Sequence, residues 1–90
     1  FLERTPEVLA ELRDAASRAD ADGIRRAAHT IKGTSATLGA RKLAEASAEI
    51  ESLGRTGSVP DAVNRVEALE ASYRAVASLL EAERIEAHQE

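Results

Sequence analysis

The sequence predicts an all-α protein folded as an antiparallel up-and-down four-helix bundle, and three observations predict it. The chain is alanine-rich, with 43% hydrophobic residues and only Phe1 and Tyr73 aromatic, whereas strands favour aromatic and β-branched side chains. Its five Gly and two Pro fall mostly where a helix would start or stop. Apolar residues recur three and four apart in four successive segments. Ninety residues hold one domain and one core. The expected core spans residues 6–80, with residues 81–90 as a polar C-terminal extension.

The first helix is expected from Thr5-Pro6-Glu7, where Thr can cap, Pro suits the first turn and Glu favours the helix dipole. Val8, Leu9, Leu12, Ala15, Ala16 and Ala19 mark its inner face, and Phe1-Leu2 reads as the end of an earlier helix. Asp20 or Asp22 caps the second helix, which runs to Leu38 and ends on Gly39 in the left-handed conformation. The third, over 40–53, buries Leu43, Ala46, Ser47, Ile50 and Leu53. Gly54-Arg55-Thr56-Gly57-Ser58 reads as a loop. Pro60 and Asp61 open the long fourth helix, whose seam is Val63, Val66, Leu69, Tyr73, Val76 and Leu80. Such seams pack helices at shallow angles in bundles with short connections.

Composition excludes several chemistries. The chain has no cysteine, so disulfides, thiolate metal sites and a Cys nucleophile are out. Its two histidines are 59 positions apart and make a poor metal site. No apolar run approaches the roughly 20 residues of a membrane span, and no signal peptide is evident. A cytoplasmic location without direct membrane contact is expected. The first residue is Phe rather than Met, so the chain reads as a piece of a longer protein. Residues 21–42 carry a balance of +4 within a chain of net −4, which leaves −8 elsewhere. Nucleic-acid binding normally needs a basic face across the domain and is not expected. A local basic patch can still steer an anionic site on a partner.

The second helix carries the functional signal. At about 100° per residue, Ile24, Ala27, Ala28, Ile31, Ser35 and Leu38 form one buried stripe. His29 lies about 160° from the centre of that stripe and faces outward. Lys32, Gly33 and Ala36 follow it at i+3, i+4 and i+7, with Arg25 and Arg26 one turn before. A glycine inside an exposed helix costs about 1 kcal/mol relative to alanine. Here it removes the side chain that would shadow the imidazole, so a reactive group can approach the ring. A neutral imidazole there would leave a nitrogen lone pair available to receive an anionic group. An isolated exposed histidine is ordinarily only a surface residue. What singles this one out is that four features share one face.

The string Ala28-His29-Thr30-Ile31-Lys32-Gly33-Thr34-Ser35-Ala36-Thr37-Leu38-Gly39 resembles the His-x-x-Lys-Gly-x-Ser signature of histidine-containing phosphotransfer (HPt) domains. The resemblance continues through Leu43 and Glu49-Ile50-Glu51 and, in pattern, along most of the chain. It implies a phosphorelay intermediate: His29 accepts a phosphoryl group from a receiver-domain aspartate and passes it to another receiver. Lys32 would neutralise phosphoryl oxygens and Gly33 would keep the approach clear. Arg25, Arg26 and Ala36 would support the site. Ser35, on the inner edge, would bond back to the backbone or assist directly. Glu51 stands where some relatives place a carboxylate that orients the ring; the alternative is an ordinary solvated glutamate. The family usually has a further N-terminal helix, which the resemblance would put before Phe1.

No phosphate loop, Walker motif or acidic cluster near His29 is evident, so autophosphorylation from ATP is not expected. The resemblance implies response-regulator receivers as partners, with Mg²⁺ on the receiver and no cofactor on this chain. It also admits a place within a hybrid sensor histidine kinase. Two other function classes compete. One is a helical docking module that works without phosphorylation. The other, a hydrolase using His29 and Ser35, fails because residues six apart on a helix point in different directions. His88, in the polar tail, has no role assigned.

Overall fold

A computed structural model describes residues 5–89, with side chains described for 5–37 and 39–79. It contains α1 (Thr5–Ser17), α2 (Ala21–Leu38), α3 (Arg41–Thr56) and α4 (Val59–Gln89). There is no strand among the described residues. α1 packs on α2 and α4, and α3 packs on the same two helices. The chain is thus an up-and-down four-helix bundle, as its periodicity predicts. The molecule measures 49 × 20 × 17 Å. At about 1.5 Å per residue, the 31-residue α4 accounts for the long axis and outruns its shorter neighbours.

Leu12, Ile24, Ile31, Leu43, Ile50 and Leu69 are the large apolar side chains with almost no exposure. Burying each contributes about 1.5–3 kcal/mol relative to leaving it in water. The predicted inner face of α2 is buried from Ile24 to Ser35; Leu38 lies outside the described side chains. The seam of α4 sits partly one residue away from its predicted register. Ala62 is fully buried and Val63 is 39% exposed, while Val66, Leu69 and Tyr73 are buried as expected. Leu80 and His88 fall outside the described side chains, and Phe1-Leu2 outside the described residues. Arg13 of α1 pairs with Glu70 of α4, and Arg65 of α4 with Glu49 of α3.

The connections are tight. Asp20 caps α2, its Oδ1 accepting from the Gly23 N–H at 3.0 Å. Gly39 ends α2 at φ 85°, its N–H donating to the Ala36 carbonyl, while Ala40 N–H donates to that of Ser35. Such paired bonds satisfy carbonyls that the helix leaves open at its end. Ala19 occupies the equivalent position after α1 at φ 55° and is exposed, so it belongs to the turn and not to the inner face. A left-handed alanine costs roughly 1–2 kcal/mol, and the bonds Ala19 N–H to Ala16 and Asp20 N–H to Ala15 help hold it there.

The predicted loop at 54–58 is the largest correction. α3 continues to Thr56, and only Gly57, at φ 81°, terminates it. Gly54 is a buried helical residue. A Cβ on it would stand 3.0 Å from both the Ala21 carbonyl oxygen and the Arg25 nitrogen. The glycine there permits close approach of two helix backbones rather than a turn. That approach sets the distance between the start of α2 and the end of α3, on which the site depends.

Candidate functional site

His29 lies midway along α2, on the face opposite the core, with its side chain 64% exposed. Gly33 is exposed, and a Cβ built on it would meet nothing within 4 Å. Ala36 is exposed one turn further. The cleared stretch beside the imidazole is therefore present as the sequence predicts. Thr30, Thr34 and Thr37 turn their hydroxyls back onto the carbonyls of Arg26, Thr30 and Gly33. Their hydrogen-bonding groups are thereby engaged within α2, a pattern typical of helical threonines.

The charge around the ring differs from expectation. Arg25 and Arg26 both pair with Asp22, at 2.9 and 3.2 Å, one turn before His29. The Arg25 hydrogen bond holds the Asp22 carboxyl below its ordinary range. What touches the imidazole is an anion. Glu51, from α3, places Oε2 2.7 Å from His29 Nδ1 and Oε1 2.7 Å from Lys32 Nζ. Arg55, one turn along α3, reaches Oε2 at 3.5 Å. Around the ring, four cations face two carboxylates, so positive charge persists in excess but is largely engaged.

Glu51 is the organising residue. Its side chain is only 6% exposed, so it is not the solvated glutamate of the alternative reading. It projects from α3 across the contact with α2 that Gly54 makes possible. The Lys32 hydrogen bond holds its carboxyl below the usual value of 4.5, and the His29 hydrogen bond acts the same way, against the opposing effect of burial. At neutral pH it is a carboxylate and can only accept, so the shared proton resides on Nδ1 of the ring. In the neutral imidazole the lone pair is then on Nε2, across the ring.

Ser35 is fully buried on the inner face of α2, so burial separates it from the exposed imidazole and direct help at the site is excluded. Its expected bond back to the backbone is also absent: among the described residues Oγ has no partner. Ser47, by contrast, donates to the Leu43 carbonyl at 2.8 Å. Sequence reasoning missed Arg55, having placed it in a loop. The signal was present in its spacing, since Glu51 and Arg55 stand four apart and form an i,i+4 pair only if the helix continues. Among the described residues, no group of three or more metal-ligating side chains is found, and no helix is long and apolar enough to cross a membrane.

A protein-family model described as the Hpt domain matches residues 1–84. No curated protein and no solved structure matches the chain.

Proposed function

We propose, since this chain belongs to the Hpt domain family of phosphorelay histidine phosphotransfer modules, that His29 is its phosphoacceptor. The observation that carries this reading is the 2.7 Å contact between Nδ1 of the exposed His29 and the buried Glu51 carboxylate. It holds the proton on the inner nitrogen and leaves Nε2 as the nucleophile.

Domains of this family act with receiver domains, and the donor here is taken to be a receiver aspartyl phosphate. The Nε2 lone pair attacks phosphorus in line with the leaving carboxylate oxygen. The N–P bond forms, the P–O bond breaks, and its electron pair departs on the aspartate. The ring becomes an imidazolium whose Nδ1–H remains on Glu51, so positive charge develops beside a fixed carboxylate. Lys32, near the ring, turns towards the phosphoryl oxygens, and Gly33 leaves the approach free. Onward transfer to a second receiver is the reverse sequence. Arg25, Arg26 and Ala36 line the approach; the two arginines add long-range attraction for an acidic partner. The aspartate and its Mg²⁺ belong to the receiver, and this chain supplies nucleophile, cation and docking face.

The test is direct. Incubation with a phosphorylated receiver should place an acid-labile, base-stable label on the chain, and His29→Gln should abolish it. Uptake at the normal rate by that variant would refute the assignment. A wild-type chain that takes up no label at all would favour the docking-module reading. A place in a hybrid sensor kinase and a cytoplasmic location are further proposals, which the sequence flanking this chain in its gene would test.

A further inference from the structure

The carboxylate of Glu51 has three positively polarised neighbours but two very different holds on them. Among the described residues Oε1 is engaged by Lys32 alone, at 2.7 Å. Oε2 is engaged by His29 Nδ1 at 2.7 Å, with the Arg55 guanidinium standing off at 3.5 Å. If Lys32 turns to a phosphoryl group, a buried carboxylate loses its closest full cation. Leaving such a group uncompensated is costly, and proteins seldom do so.

We propose that Arg55 is a positioning residue, a reserve cation that takes hold of Glu51 when Lys32 leaves it. The assignment deepens the reading of His29 as phosphoacceptor, but its resting-state consequence stands without that reading. Three features support it. Arg55 lies one helical turn beyond Glu51, on the same face of α3. Its side chain is 65% exposed, so it can swing inward without repacking the core. Among the described residues Glu51 is its only ion-pair partner, so it has no competing carboxylate to leave. A guanidinium also offers several donors in a fork, so it can span from Oε2 to the vacated Oε1.

Gly54 makes this possible. By letting α3 continue against the start of α2, it keeps Arg55 helical and in reach of Glu51. The two residues divide the labour: Gly54 fixes the helix contact and Arg55 keeps the carboxylate charged and in place while Lys32 moves.

The experiment is a double-variant cycle on the isotopically labelled chain, with Lys32→Ala, Arg55→Gln and the pair together. Long-range proton–nitrogen correlation reads the tautomer of His29, and the carboxyl carbon shift reads the titration of Glu51. Each single variant should keep the Nδ1–H tautomer, because the other cation still holds Glu51. Only the double variant should lose it, with an upward shift of the Glu51 midpoint exceeding the sum of the single shifts. Arg55→Lys in the Lys32→Ala background should recover part of that loss. A double variant identical to Lys32→Ala alone would overturn the proposal.

Should the double variant unfold, Arg55→Gln alone still decides the matter. Loading His29 with phosphoramidate, a small donor, should leave the variant unchanged before phosphorylation and disturb the Glu51 resonance only after it. Transfer onward should slow by about threefold, the size expected of an exposed ion pair, and less at high salt. An undisturbed Glu51 resonance in the loaded variant would refute Arg55. Failure of His29 to take the label would refute the phosphoacceptor reading instead, leaving the resting-state coupling to be judged by the cycle.

Discussion

Replacing Glu51 by Gln keeps the shape of the side chain and removes its charge. A carboxylate accepts at both oxygens, whereas an amide accepts at one end and donates at the other. Lys32 can only donate, so it would claim the amide oxygen and turn the NH₂ towards Nδ1. The ring would then accept a hydrogen bond from the Gln NH₂ at Nδ1 and carry its own proton on Nε2, the nitrogen that must attack. A hydrogen bond to a charged group contributes about 1.5–3 kcal/mol, and each 1.4 kcal/mol is tenfold. Acceptance of the phosphoryl group should therefore slow roughly ten- to a hundredfold, as measured by label uptake from a phosphorylated receiver in single turnover. The same substitution should flatten the acid limb of the stability curve. The Glu51 carboxyl sits below its ordinary 4.5 in the folded state, because Lys32 and then His29 bond its charged form. A depressed folded value stabilises above the unfolded one and loses that contribution as pH falls through the folded one. Wild type should thus exceed Glu51→Gln in stability at pH 7, and the two should converge on acidification below the unfolded value. Uptake at the wild-type rate by the variant, with the Nδ1–H tautomer intact, would show that Glu51 does not set the reactive nitrogen.

Substitutions at three further positions test the packing and the approach. Gly33→Ala meets nothing within 4 Å and should stabilise the chain by about 1 kcal/mol in thermal denaturation. It should nevertheless slow transfer, and Gly33→Phe should slow it more; unchanged kinetics in both would remove the steric argument. Gly54→Ala places its Cβ 3.0 Å from backbone on α2 and should destabilise by about 1–3 kcal/mol, despite alanine's better helix propensity. Its denaturation midpoint would have to rise for that reading to fail. Ser35→Ala deletes a buried hydroxyl with no partner and should stabilise by about 1 kcal/mol while leaving transfer unchanged. A clear loss of stability would mean that the hydroxyl is satisfied after all.

The bundle and the exposure of His29 were both legible from local pattern. A stripe of apolar residues at helical spacing must face the core, and a residue opposite that stripe must face water. The same holds for Asp20 and Gly39, whose cap roles depend only on near neighbours in the chain. Legibility stopped where one residue type serves two purposes. Gly54 followed by Arg-Thr-Gly carries the composition of a loop, yet Gly54 is helical because a second backbone occupies the space its side chain would fill. In α4, Ala62 and Val63 are both apolar neighbours, and packing against α1 and α3 selected the smaller for full burial.

Local sequence alone determined that a histidine stands on a cleared helical face with a lysine one turn on. The tertiary structure decided the charge that touches it. Three of the four charged side chains that the sequence places around it, Arg25, Arg26 and Lys32, follow from spacing within α2, but Glu51 is 22 positions away. A contact across that separation exists only because α3 packs against α2 in one register, with a glycine at their crossing. Periodicity reports which face of a helix is buried; it carries no information about which side chain of another helix will meet the exposed one. That pairing, and with it the nitrogen left free to react, was settled by helix packing.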